Sequence, residues 1–156
     1  MENQFPKMDL LSRQLNQAHR AAVQAELSAA GLEEVGHPML LTILEASGAD
    51  ENSPCHAQRD LADLLHISPA AVANSLKSLE RSGYVRREPG QRDARRNRVI
   101  LTEKGVRAVE GCRATFRRVS ARMLADFSPE EYAQLMDFQQ RMLHNLLSSP
   151  DSHQKE

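Results

Sequence analysis

Apolar positions along this chain recur mostly at intervals of three and four, the spacing that places them on one face of a helix. Leu11, Leu15, Ala18, Ala22 and Ala25 predict a long first helix from about Asp9 to Ala30. A second is expected from His37-Pro38, carrying Met39, Leu40, Ile43 and Leu44. Leu61, Leu64 and Leu65, with Ala62 beside them, predict a third whose outer face holds Arg59, Asp60 and Asp63; Ile67 is expected to plug the turn that follows. Ser68-Pro69 then reads as a helix start, because a serine hydroxyl accepts an orphan backbone N–H and proline at the first helical position loses nothing. Val72, Leu76 and Leu79 give this fourth helix one buried face, and Gly83 ends it where a left-handed residue is wanted. Further on, Val109, Cys112, Phe116, Val119, Met123 and Phe127 predict a long helix capped by Thr102. Ser128-Pro129-Glu130-Glu131 is a capping box that opens a last helix with Tyr132, Leu135, Phe138, Met142 and Leu146, widened by Leu143 and Leu147.

The helical period breaks once. Tyr84-Val85-Arg86-Arg87 and Arg98-Val99-Ile100-Leu101 are short β-prone runs, and the ten residues between them contain Pro89-Gly90, which is turn chemistry. The order over residues 58–105 is therefore helix, turn, helix, hairpin. The surface of the fourth helix changes the picture again. Ala70, Ala71, Asn74, Ser75, Lys77 and Ser78 lie between its buried positions and are small or polar, so this face can approach another surface closely.

Charge points to what that surface is. The chain as a whole has a formal net charge of -1, which argues against indiscriminate coating of nucleic acid. Residues 77–104 hold nine Lys/Arg against four Asp/Glu, a local net of +5, and the remainder carries -6. Six arginines (86, 87, 92, 95, 96 and 98) crowd the hairpin against Glu88 and Asp93. Arginine forks suit phosphate and narrow minor grooves, and a basic footprint confined to one face is what a protein that docks on DNA requires.

These residues resemble the winged helix-turn-helix of MarR-type transcriptional regulators. The resemblance lies in Asp60-Leu61-Ala62, in the Ile67-Ser68-Pro69 turn, and in the exit Leu79-Glu80-Arg81-Ser82-Gly83-Tyr84-Val85. It continues in the wing signature Asp93-x-Arg95 and in Leu101-Thr102-Glu103-Lys104-Gly105. The detailed match covers about a third of the chain. It implies a mainly α fold with a small β-hairpin wing (α+β). Residues 1–36 would be an N-terminal dimerisation helix, 37–105 the winged DNA-binding lobe, and 106–156 the C-terminal dimerisation helices. The expected function is that of a homodimeric repressor on a pseudo-palindromic operator, its two recognition helices about 10–10.5 bp apart. It would release double-stranded DNA when a small, often aromatic, effector binds. Ser68, Ala70, Ala71, Asn74, Ser75, Lys77 and Ser78 would face the major groove. Asn74 is the best candidate for an adenine contact, and Lys77 for a phosphate. Arg92, Asp93, Arg95 and Arg96 would form the wing, with Asp93 and Arg95 paired to hold its shape. Members of the family often carry longer polar or basic side chains where Ala70, Ala71 and Ala73 stand, so sparse base readout and a more important wing are expected. Residues His19, Val23, His37, Met39 and Phe116 are candidates to line an effector cleft.

Other readings stay open at this stage. His19, Glu26, His37 and Cys112 offer zinc-compatible donors, although no tight ligand pair occurs among them. A thiol-redox sensor is another possibility, with Cys55 beside His56. A winged helix can also serve as a protein-interaction module without DNA. Two cysteines suggest no disulfide framework. No phosphate loop, nucleophile motif or recognisable carboxylate pair points to an enzyme, and no cofactor is expected. No stretch approaches the roughly 20 apolar residues of a membrane span, and the N-terminus lacks a signal-peptide core. A cytoplasmic protein without a membrane partner is therefore expected.

Overall fold

The computed structural model describes residues 5–46, 58–89 and 97–148, with the side chains of Phe5, Arg59, Asn97 and Arg98 left aside. The elements run α1 (Phe5–Ala29), α2 (Pro38–Ala46), α3 (Gln58–Leu65), α4 (Pro69–Arg81), β1 (Val85–Pro89), β2 (Asn97–Leu101), α5 (Glu103–Met123) and α6 (Pro129–Leu147). The fold is mainly helical with one antiparallel hairpin, in which Val85 pairs with Leu101 and Pro89 with Asn97. The chain divides into two compact units, residues 1–119 and 120–156.

The first unit has a continuous apolar core. Leu61, Ala62, Val72, Leu76 and Leu79 from the helix-turn-helix meet Leu40, Leu41 and Leu44 of α2, Tyr84, Val85 and Val99 of the hairpin, and Val109 and Cys112 of α5. Val23 and Leu27 of α1 join the same core, as do Ala108 and Val119 of α5. The winged lobe thus draws its interior from well outside residues 37–105, because a hairpin and three short helices have too little apolar surface to close a core alone. Two ion pairs hold α5 in place. Arg118 Nε donates to Glu26 Oε2 of α1 at 2.6 Å, and Arg113 pairs with the Glu45 carboxylate of α2.

Several apolar positions lie elsewhere than their spacing predicts. In α1 the buried residues are Val23 and Leu27, whereas Leu11, Leu15, Ala18 and Ala25 are exposed. The core reaches only the C-terminal part of α1, where Val23 and Leu27 stand. In α3, Leu61 and Ala62 are buried, Leu65 is half-buried and Leu64 is 60% exposed. Ile67 is also exposed and does not plug its turn. A helix of eight residues presents only about two turns to its neighbours, so one apolar row suffices.

In the second unit, α6 begins as expected. Ser128 Oγ accepts from Glu131 N at 3.1 Å, and Glu131 Oε2 accepts from Ser128 N at 2.8 Å, closing the capping box. No residue of α6 is buried. Leu135 is half-buried, while Tyr132, Phe138, Met142, Leu143, Leu146 and Leu147 are all exposed. Met123 and Phe127 are exposed as well, contrary to their core-like spacing.

Candidate nucleic-acid interface

The α4 helix starts as its sequence requires. Ser68 is extended (φ -68°, ψ 149°), and its hydroxyl accepts from Ala71 N at 3.1 Å, with Pro69 at the first helical position. Gln58 Nε2 donates to Pro69 O at 2.8 Å and ties the start of α3 to this first turn. His66, between the two helices, takes a left-handed φ of 51°. At the other end Gly83 adopts φ 77°, a conformation that strains any L side chain.

Immediately beyond, the root of the hairpin is stitched to α5. Thr102 Oγ1 donates to Gly83 O at 2.6 Å and accepts from Gly105 N at 3.1 Å, so one hydroxyl closes the hairpin and caps the helix. Thr102 N also donates to Tyr84 O at 3.1 Å. Gly105 packs so close that a Cβ there would lie 2.1 Å from Tyr84 O. Lys104 reaches back, donating to Ser82 O at 2.7 Å with its ammonium 4.5 Å from the centroid of the buried Tyr84 ring. Burial and, behind it, the charge of Glu34 push the Tyr84 phenol above its usual pKa.

The outward face of α4 is narrower than its composition suggests. Ser68, Ala70, Asn74 and Lys77 are exposed. Ala71, Ser75 and Ser78 are half-buried. The Ser75 hydroxyl donates to Ala71 O at 3.0 Å, and Ser78 Oγ lies 3.9 Å from where a Cβ on Gly36 would sit. Ala70, Asn74 and Lys77 form one row at spacings of four and three, and the exposed Arg81 continues it by four. Arg81 belongs to the exit motif and lies beyond the residues expected to face the groove. The signal that finds it is the same helical spacing carried one turn further.

The hairpin arginines divide into groups. Arg86 donates through Nε to Glu88 Oε1 at 2.8 Å, both side chains being partly exposed. Arg87 turns toward α4, its Nε 3.4 Å from Glu80 Oε2. Arg92, Asp93, Arg95 and Arg96 lie outside the described residues, as do Cys55 and His56.

The other candidates are scattered. Val23 belongs to the core and Phe116 packs against it, His19 and His37 are half-buried, and Met39 is exposed at the start of α2. His19, Glu26, His37 and Cys112 do not assemble a metal site: among the described residues no group of three or more His, Cys, Asp or Glu could hold an ion. Glu26 is engaged by Arg118, and Cys112 is fully buried. Burial pushes the Cys112 thiol up to about 11, which keeps it protonated and makes it a poor redox sensor. Among the described residues no helix is long and apolar enough to cross a membrane.

A helix-turn-helix followed at once by an antiparallel hairpin, with that hairpin fastened to the next helix, defines a winged helix-turn-helix protein. Comparison with known proteins narrows the class. Residues 26–96 match the model of the MarR family. An uncharacterized HTH-type transcriptional regulator, YdgJ of Bacillus subtilis, is 38% identical over 107 residues, which cover 69% of this chain and 62% of that protein. The chain thus matches somewhat less than two thirds of this relative's length. Among solved structures, the MepR–DNA complex of S. aureus is similar with a TM-score of 0.71 and 25% identity, over 87% of this chain and 94% of MepR. A probable transcriptional regulator from Pseudomonas aeruginosa gives 0.70 and 25%, over 86% and 95%. In its winged segment and in its fold the chain is thus similar to MarR-family transcriptional regulators.

Proposed function

We propose that this protein is a DNA-binding transcriptional repressor that works as a homodimer on a pseudo-palindromic operator. The observation that carries the reading is the exposed row Ala70, Asn74, Lys77 and Arg81 on α4, set beside a hairpin whose sequence is rich in arginine. Small residues at the start of the row let the helix backbone approach the floor of a major groove. The amide of Asn74 can pair bidentately with adenine, and the two cations further along suit the flanking phosphates. Arg92 and Arg96 are proposed to supply the wing's contacts, with Asp93 and Arg95 holding its shape. Similarity to MepR, a structure solved with DNA, supports the same docking mode.

Dimerisation is supported by the apolar surface that each unit leaves exposed. On α1, the exposed Met8, Leu11, Leu15, Ala18 and Ala25 follow one another at spacings of three, four, three and seven, a heptad-like seam in which Leu11 is 65% exposed and the half-buried Ala22 fills the last gap. On α6 a spacing of four from Tyr132 to Met136, and spacings of seven from Met136 to Leu143 and from Leu135 to Met142, lay out a second strip. Apolar strips left exposed in this way support an interface. A two-fold dimer would place two copies of α4 on half-sites about 10–10.5 bp apart. Release of DNA by a small effector is proposed to act through a shift between dimer geometries of different half-site spacing. His19, Val23, His37, Met39 and Phe116 remain the residues to vary first.

The test is fluorescence anisotropy of the purified protein on DNA from upstream of its own gene, over a series of salt concentrations. Saturable binding, with affinity falling steeply as salt rises, is expected. Failure to bind that DNA any better than an unrelated duplex at every salt concentration would overturn the reading in favour of a protein-interaction module.

A further inference from the structure

Arg86 and Arg87 are neighbours in sequence but opposite in setting. Arg86 leans out to Glu88, within its own strand. Arg87 points the other way. Its side chain is 26% exposed, and its Nε lies 3.4 Å from the carboxylate of Glu80, in the last turns of α4. Both Nε and Nη2 of Arg87 are shielded from solvent, with no hydrogen-bond partner among the described residues. Its place in the ladder is opposite the buried Val99. Donor groups withdrawn from water and left unbonded are costly, and a long flexible side chain could avoid that cost by swinging outward. The facing carboxylate offsets the charge, so what holds Arg87 inward is Glu80.

We propose that Glu80 and Arg87 are a positioning pair that sets the angle between the recognition helix and the wing. The proposal rests on the DNA-binding reading above. Glu80 sits one residue before Arg81, at the end of the row that faces the groove. Arg87 sits two residues before Pro89, where β1 hands over to the segment holding Arg92, Arg95 and Arg96. Between them runs the tight exit through Gly83 and Tyr84, whose backbone is already fastened to Thr102. That fastening fixes the root of the hairpin. The pair acts three residues beyond Tyr84, where a small rotation of β1 would change the direction in which the strand leaves α4. Arg87 thus contributes to binding without touching phosphate.

The experiment measures operator affinity across a salt series, together with amide hydrogen exchange in the absence of DNA. It compares the wild type with Glu80→Ala, Arg87→Met and the charge-swapped double variant Glu80→Arg/Arg87→Glu. Each single substitution is expected to weaken binding by about tenfold, within the range of coupled neighbouring side chains, with the salt slope unchanged. The swap is expected to recover most of that loss. Exchange is expected to quicken at Val85–Glu88 in the single variants and not in the interior of α4. The sign for Glu80→Ala is diagnostic, because removing a negative charge beside DNA would by electrostatics alone tighten binding. Tighter binding by Glu80→Ala would overturn the proposal. A salt slope reduced by about one in Arg87→Met would do the same, since it would make Arg87 a phosphate contact. Unchanged exchange at Val85–Glu88 would sink the pair as a mechanical link. A wild type that binds no DNA would refute the functional reading instead, and the exchange data would still decide whether the pair braces the hairpin.

Discussion

At the scale of single residues, the surface of α4 separates side chains that serve the helix from those that face outward. Ser68 caps, Ser75 bonds its own backbone and Ser78 lies toward Gly36, which leaves Asn74, Lys77 and Arg81 as the reaching groups. Their chemistry predicts different phenotypes. Asn74→Ala should cost about 1–3 kcal/mol on the preferred operator and little on a variant altered at the contacted base pair, measured by anisotropy on both duplexes. Lys77→Ala should weaken binding about equally on all sequences and lower the salt slope by about one. Cys112 makes a prediction about pH. Its thiol is raised from an ordinary 9.0 to about 11 by burial, so the folded state disfavours the thiolate. The stabilisation is complete below pH 9 and is lost as pH rises through 11. About 2–3 kcal/mol of stability should disappear over that window, and a Cys112→Ala variant should show a correspondingly shallower decline in urea melts.

At the scale of elements, the capping and turn chemistry was legible in the sequence and the choice of buried face was not. Ser68, Gly83, Thr102 and the Ser128–Glu131 box stand where local rules place them, because a cap or a left-handed residue depends only on its immediate neighbours. Which stripe of a helix is buried depends on what it meets. Leu11 and Leu15 satisfy the helical period as well as Val23 and Leu27 do, and spacing alone cannot say which pair finds a partner within the chain. Leu64 fails for the same reason, on a helix only two turns long. Arg86 and Arg87 look like DNA contacts in a list of arginines, and only the fold shows them committed to Glu88 and Glu80. Gly105 was legible as part of a motif, but its reason was not: the backbone of Tyr84 occupies the space of its missing side chain. Gly105→Ala should therefore destabilise the first unit by about 2–3 kcal/mol through forced displacement of that backbone, read as a lowered urea midpoint.

At the scale of the whole molecule, the apolar residues left exposed on α1 and α6 are the largest unexplained expense in the fold, and association is the proposed resolution. Leu11→Glu combined with Leu15→Glu should leave the far-ultraviolet spectrum intact, since neither residue is in the core, while light scattering shows monomers at micromolar concentration. A dimer that persists unchanged would move the interface away from α1. The closed root of the hairpin bears on how such a molecule can change over generations. Thr102 and Gly105 fasten the feet of the hairpin to α5, so changes in the sequence between Pro89 and Asn97 are expected to leave the preceding helix undisturbed. If the proposed DNA-binding mode holds, selection could retune the grip on DNA through this one short segment while what α4 reads stays as it was, so that grip and reading evolve separately.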